Sequence, residues 1–550
     1  MTVSALHDSR EILDLRRGRK ADEAERAKAA GCPFHRLLGK TSTRELPTRE
    51  APSADRATTE LSHLPEPPRP SMSRLRQTVR FAKDPFGLLR DARTECGDLF
   101  VIDIYGMGPV LYLCTAELLH QVYRLDEDTI VAGEIRRRLL GKVISPRSTV
   151  AIDGEEYRRR RRITTPYFTG RRVDRWAPVL RRLAEKEIAG WTVGQETELQ
   201  QSFDRIARRA VCHVLFGSVD RQTLDELEEL SRRYLEAFQW SLVQMPPLQR
   251  SFGRWSPWAR FQKRLTTYRR AIEKVVRAAY EDLTHGRADD DPRDLLGALV
   301  QGYREELTLG DEALREETLA MIIDELIAFV VGGAETTAKA TSWAMLGLLA
   351  HREVLERTRD ELDQVVGDAP IRAEQIHKQL PYLDAVVQEG LRHQSLAPFA
   401  GPRLAKRSFE LAGHRVDAGT VIAQCLSEVG QSDLFPHRDR FEPENFYRRN
   451  IRPNDWVPFG GGKRICAGMG MAQMEMAMIV GTFAQCAELE LLGDTDDRRP
   501  AKAGIAYQPK DSLRVRFNGR RAATPATSSP DRSTSRPRPT RKPEAAPLFA

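Results

Sequence analysis

Ten residues, Phe459-Gly460-Gly461-Gly462-Lys463-Arg464-Ile465-Cys466-Ala467-Gly468, constrain this chain more than any other stretch, and an apolar helical run from Met469 to Ala487 follows at once. Glycines permit a backbone path that side chains would block, and the run behind them sets a helix N-terminus just after Cys466. Backbone N–H groups and the positive end of the helix dipole there favour a thiolate over a thiol. The stretch therefore reads as a metal ligand. It offers one sulfur, with no CxxC or CxxH pair nearby, so a structural zinc or an iron–sulfur cluster, each needing several ligands, fits poorly.

A single thiolate suits haem iron, toward which it pushes electron density. The order Phe459, Gly462, Arg464, Cys466, Gly468 resembles the haem-binding loop of the cytochromes P-450, Phe-x-x-Gly-x-Arg-x-Cys-x-Gly. The resemblance implies that Cys466 ligates haem b (iron protoporphyrin IX), that Arg464 pairs with a haem propionate, that Phe459 covers the thiolate and that Gly462 and Gly468 let the backbone approach the porphyrin.

Upstream, an apolar-periodic helix from about Glu316 to Leu349 is interrupted by Gly332-Gly333-Ala334-Glu335-Thr336-Thr337. Glycine inside a helix costs about 1 kcal/mol relative to alanine, so a small-residue turn there calls for a reason. Either the glycines pack a neighbouring helix closely, or the turn bends and opens a groove, helped by a threonine hydroxyl bonding to the backbone. The motif resembles the family's Ala/Gly-Gly-x-Asp/Glu-Thr-Thr/Ser, which implies that Glu335 and Thr336 carry protons to dioxygen. Glu389-Gly390-Leu391-Arg392 resembles the ExxR of the family's next conserved helix. It implies a structural network, completed in the family by the arginine of Pro-Glu-Arg-Phe. Here the segment is Pro443-Glu444-Asn445-Phe446; Asn445 lacks the charged fork, so the network is either weaker or rerouted.

The run Asp153-Gly154-Glu155-Glu156-Tyr157-Arg158-Arg159-Arg160-Arg161-Arg162 resembles a helix whose aromatic residue and arginine, four apart and so on one face, bond a propionate. Those positions are Tyr157 and Arg161, with Arg403 a further propionate partner by resemblance. The remaining arginines form either a solvated face or a docking patch for an acidic electron donor. Trp240, Met245 to Leu248, Phe252, Trp255, Trp258 and Phe261 read either as core or as a lid over the substrate entrance. The pocket is expected at Ile327, Ala328, Val331, Gly332, Pro398, Phe399, Ile505 and Ala506, small or apolar residues that suit a fatty acid, terpenoid, steroid or polyketide.

Leu99 to Tyr105, Gly106-Met107-Gly108 and Pro109 to Cys114 read as strand, turn and strand, and Thr115 is placed to cap a following helix. Residues 1–70, rich in Arg and Pro with one short helix expected around Ser9 to Ala29, read as a disordered extension, and its Cys32-Pro33 pair as either an incidental dipeptide or a haem-sensing motif. Residues 71–519 form a single mainly α-helical haem domain with a smaller β-rich part, and 520–550 a tail. The 550 residues are 41% hydrophobic with seven scattered cysteines, which fits a globular protein of a reducing compartment, the cytoplasm. A charge of +8 without a binding motif does not point to nucleic acid. No run of about 20 apolar residues suggests a transmembrane anchor.

The implied activity is a monooxygenation: O2 and two electrons insert one oxygen atom into a lipophilic small molecule. The electrons come from NAD(P)H through a reductase and a separate ferredoxin or flavodoxin-type donor, since no nucleotide fingerprint is fused to the chain. A hydroperoxide isomerase or peroxide-driven enzyme, and a haem sensor or carrier, are the alternatives on the same fold.

Overall fold

One helix, Glu312–Ala350, threads the molecule. The Asp311 side chain starts it by accepting the Leu314 N–H at 2.8 Å, and at 1.5 Å per residue its 39 residues span about 58 Å. Apolar side chains are buried on every side from Leu319 to Leu348, as expected of a helix enclosed by others. In the computed structural model, which describes residues 61–238, 249, 253, 256–452, 455–493, 499–504, 506–510 and 513–522, this helix runs through the Gly332–Thr337 turn without a break. The threonine device expected there is present, but the Thr336 hydroxyl donates one turn back to the Gly332 carbonyl at 2.6 Å, a bond a helix can accommodate.

Helices Leu199–Phe216, Pro257–Thr284, Pro381–His393 and Met469–Cys486 pack around this axis. Phe261 is wholly buried and stacks on Trp258 at 5.4 Å, so the two described members of the aromatic segment are core. Trp240, Met245 to Leu248, Phe252, Trp255, the Ser9 to Ala29 stretch, Cys32-Pro33 and Ile505 lie outside the described residues.

The β part stands to one side. Strands β1 (Leu99–Ile104) and β2 (Gly108–Leu113) form the expected antiparallel pair, and Gly106 and Gly108, at φ +90° and +78°, make the turn. Thr115 accepts the Leu118 N–H at 3.3 Å to start helix Ala116–Tyr123. With β3 (Ile130–Val131), β5 (Ala400–Ala405) and β8 (Val421–Gln424) the pair makes a five-stranded sheet of order β1-β2-β8-β5-β3, in which β2 and β8 run parallel. β6 (Phe409–Leu411) and β7 (His414–Val416) form a hairpin, and β4 (Glu196–Glu198), β9 (Ala487–Leu491) and β12 (Arg514–Arg520) a three-stranded sheet. The hairpin of β10 (Pro500–Ala503) and β11 (Ala506–Pro509) lies on the long helix.

Both ends of the domain reach further than composition suggests. Pro68 O accepts from Val101 N at 2.9 Å and Pro65 O from Arg415 N at 2.9 Å, so the proline-rich stretch before residue 71 is part of the folded unit. At the other end Arg521 holds Asp363 through two bonds of 2.8 and 2.6 Å. Among the described residues no helix is long and apolar enough to cross a membrane.

Candidate functional site

The Cys466 loop is drawn around Tyr123. A Cβ at Gly461 would lie 2.5 Å from the Tyr123 ring, and Gly462, at φ +62°, would place one 3.0 Å from Tyr123 Cβ. The tyrosine hydroxyl donates to Gln424 Oε1 at 3.0 Å and Gln424 Nε2 to Val457 O at 2.7 Å, so β8 fixes the loop's entry. The Cys466 N–H then closes the loop on the Phe459 carbonyl at 3.0 Å. Gly468 precedes helix Met469–Cys486. Its Cβ direction is open space.

Cys466 is solvent-accessible, yet burial is the largest influence on its thiol and pushes it up. The two agree when the sulfur faces an inner recess instead of the outer surface. The Gly468 N–H and the charges of Arg161 and Arg136 pull the thiol the other way. These are the groups that hold a thiolate once a metal ion offsets the desolvation.

Positive charge gathers beside this sulfur. Arg464 is bound by the Asp153 carboxylate and by Ile152 O at 2.6 Å, with its guanidinium 3.5 Å above the Tyr157 ring. Arg403, on β5, donates to Gly461 O at 3.2 Å and covers Tyr123 at 4.7 Å. The guanidiniums of Arg161 and Arg136 have no hydrogen bond or ion pair among the described residues. Burial lowers Arg403 and Arg464; it lowers Arg136 to about 9, with Arg403 and Arg464 adding repulsion. One carboxylate among four guanidiniums leaves a surplus that an anionic group would neutralise. The donor set suits the two carboxylates of a haem, so the residues present fit that group.

Tyr157 takes another role than the propionate donor expected of it. Its one hydroxyl proton is committed to the Lys463 carbonyl at 2.5 Å, so it anchors the loop. The arginine run is also resolved: Arg158 and Arg162 pair with Glu155, Arg160, itself buried, with Glu156, and Arg159 with Glu306, leaving Arg161, close enough to Cys466 to act on its thiol, without a glutamate partner among the described residues. Sequence reasoning missed Arg136, Tyr123, Gln424 and Asp153. Arg136 stands in the run Arg136-Arg137-Arg138, where only the helix phase (Gly133–Leu140) decides which one turns in.

The two glycines of the long helix serve different ends. A Cβ on Gly333 would lie 2.9 Å from Val211 Cγ2, so it is there for packing against Leu199–Phe216, whereas a Cβ on Gly332 meets nothing within 4 Å. Gly332 is exposed and Thr336 half-buried on a helix whose neighbours are enclosed. The open stripe is thus Phe329, Gly332 and Thr336. Ile327 and Val331, both fully buried, sit one or two residues from this stripe in the main core. Ala328 keeps 7% of its surface, Ala506 2%, Pro398 is buried, and Phe399 is half-buried against Phe81 and Tyr112. Glu335, about 100° further round the helix than Thr336, is buried beneath the β10–β11 hairpin.

Beneath the loop, Arg392 and Glu389 form a wholly buried two-bond pair at 2.7 and 2.6 Å. Arg392 also donates to the carbonyls of Gly430, Arg438 and Arg440 at 2.9–3.0 Å. Asn445 is the third member: Nδ2 donates to Glu389 Oε1 at 3.2 Å and to His437 O at 3.3 Å. Its place is kept with longer, uncharged bonds, and Arg449 is recruited to the Asn445 carbonyl at 2.8 Å.

The family model for cytochrome P450 matches residues 64–515. Cytochrome P450 138 of Mycobacterium tuberculosis is 29% identical over 420 residues, which cover 76% of this chain and 88% of that protein. Cytochrome P450 135B1 of the same organism is 27% identical over 461 residues, 83% of this chain and 92% of its own. Among solved structures, retinoic acid-bound cyanobacterial CYP120A1 superposes with a TM-score of 0.68 and 23% identity, over 83% of this chain and all of that one (100%); at that identity the likeness concerns the fold.

Proposed function

The chain belongs to the cytochrome P450 family and is a haem-thiolate monooxygenase, and from that premise we propose that Cys466 ligates haem b and that Arg136, Arg161, Arg403 and Arg464 hold its two carboxylates. The observation that carries this reading is the pairing of an accessible but inward-facing Cys466 with a guanidinium cluster that has one carboxylate of its own. When bound, the haem supplies activation of O2, one atom of which enters the substrate while the other leaves as water.

The chain's own residues do the rest. Gly468 N–H and the arginine charges stabilise the sulfur as an anion. Gly332 leaves room beside Thr336, whose hydroxyl rests on Gly332 O and passes a proton on when it swings off that carbonyl, with Glu335 as the acid that resupplies it. The Glu389–Arg392–Asn445 network carries the segment leading to the loop and so keeps Cys466 in register. Phe459 packs at the loop's start and shields the thiolate. The open stripe at Phe329 and Gly332, with Ala328, Pro398, Phe399 and Ala506, bounds a site for a lipophilic substrate: a fatty acid, terpenoid, steroid or polyketide. Electrons come from NAD(P)H through a reductase and a ferredoxin or flavodoxin-type donor. Turnover under 18O2 with such a donor pair tests this. One labelled oxygen atom per product molecule is expected; product labelled only from water, or formed equally well from peroxide without O2, contradicts it.

A further inference from the structure

The β10–β11 hairpin meets the long helix at the one acidic residue of its glycine turn. Gly504, between the two strands, has φ +60°, a conformation side-chain-bearing residues adopt rarely. A Cβ there would lie 2.0 Å from Glu335 Oε2, 2.6 Å from Cδ and 2.7 Å from Oε1. The carboxylate therefore occupies the space a side chain at 504 would take. The second strand of the hairpin is pinned at Tyr507: Trp343 Nε1 donates to Tyr507 O at 3.0 Å, Tyr507 N to Leu396 O at 2.7 Å, and Phe86 meets the Tyr507 ring edge-on at 5.0 Å. Glu335 itself is buried on a rigid helix, and Tyr234, whose hydroxyl is fixed to Val143 O at 2.9 Å, lies near enough to sense its charge.

With the second strand fixed relative to the helix, the Glu335 carboxylate fills the space beside the bare Gly504 backbone, space that a side chain at 504 would deny it. We infer that Gly504 is a positioning residue whose bare backbone sets the direction of the Glu335 carboxylate. The consequence for catalysis rests on the reading of Glu335 and Thr336 as the proton relay; the placement itself does not. The hairpin turn adjoins Ala506 on the pocket side, so the turn joins the substrate wall to the acid.

The test uses the haem-loaded protein and four variants: Gly504→Ala, Glu335→Gln, the double variant, and Gly493→Ala, a turn glycine at φ +99° with nothing within 4 Å of its Cβ. The infrared carboxyl or carboxylate band assigned to Glu335 through its loss in Glu335→Gln is expected to shift in Gly504→Ala and to stay in Gly493→Ala. The rate at which reduced protein mixed with O2 returns to its ferric spectrum, measured in H2O and D2O, should move about tenfold in Gly504→Ala and in Glu335→Gln alike. The double variant should move it no further. An unshifted band in Gly504→Ala overturns the inference. A shifted band with an unchanged rate in Glu335→Gln upholds the placement and overturns the relay reading instead. If Gly504→Ala loses its haem while Gly493→Ala keeps it, Gly504→Ala/Glu335→Asp, one carbon shorter, should regain it; failure to do so overturns the inference.

Discussion

Replacing Arg392 with methionine tests how the Cys466 loop is carried. Methionine keeps much of the length and packing of the stem and removes every donor. Glu389 is then left charged and enclosed, with only Asn445 Nδ2 at 3.2 Å and Glu442 N–H at 2.8 Å, and stripping one partner from a buried pair costs about 3–5 kcal/mol. The carbonyls of Gly430, Arg438 and Arg440 lose charged donors as well, at about 1 kcal/mol each where water does not reach them. The expected loss is about 4–8 kcal/mol, a large part of the 5–15 or so that a domain possesses. Urea unfolding followed by circular dichroism measures it. A loss under about 1 kcal/mol, the value of an exposed ion pair, would refute the argument that this network holds the loop by buried charge. Adding Glu389→Gln should recover part of the loss, because a neutral amide is cheaper to enclose than an unpaired carboxylate.

Arg136→Leu should separate two effects of opposite sign. Relief of repulsion with Arg403 and Arg464 leaves the haem-free protein no less stable in urea, while haem dissociates about 10–100-fold faster, the worth of one charge-assisted bond; equal destabilisation of both forms would contradict the assignment. Gly332→Ala should stabilise the fold by up to about 1 kcal/mol, since its Cβ meets open space, and Gly333→Ala should destabilise it against Val211 Cγ2 at 2.9 Å, as thermal melts will show. Glu442 is held up to about 7 from 4.5 by its hydrogen bond to Glu444 and by burial. Its raised value means the folded form keeps a proton that the unfolded form releases, so this contribution to stability is present below about pH 4.5 and is lost as pH rises through about 7. Glu442→Gln should flatten the unfolding midpoint over that window; an unaltered slope would show that the pair does not share a proton.

What the sequence discloses here divides by whether order along the chain or phase around a helix decides. Cys466, Arg464, Glu389 and Arg392 are legible because glycines, charge and spacing fix them locally, and the structure places the Arg403 guanidinium on the cysteine loop at Gly461 O. The 39-residue helix was legible from its apolar run. Of its open stripe, Gly332 and Thr336 were legible from the motif and Phe329 was not, because tertiary packing alone decides which apolar position of the helix stays open. Arg136 and Arg161 pose the same problem inside arginine runs, where the pairing of Arg158, Arg159, Arg160 and Arg162 with glutamates leaves Arg161 as the member free to act on the cysteine. The partner Tyr157 has here, the Lys463 carbonyl, was not legible, because it belongs to a loop more than three hundred residues away. The proline stretch before residue 71 looks like a linker by composition and is held by backbone bonds that composition does not carry.

The central claim is that Cys466 is the haem ligand. The absorption spectrum of the purified protein, reduced and exposed to carbon monoxide, measures it most directly, with Cys466→Ser alongside. A red-shifted Soret band of the thiolate type in the parent, lost in the variant, is the predicted result. A well-folded parent without haem, or the same band in Cys466→Ser, would contradict the account.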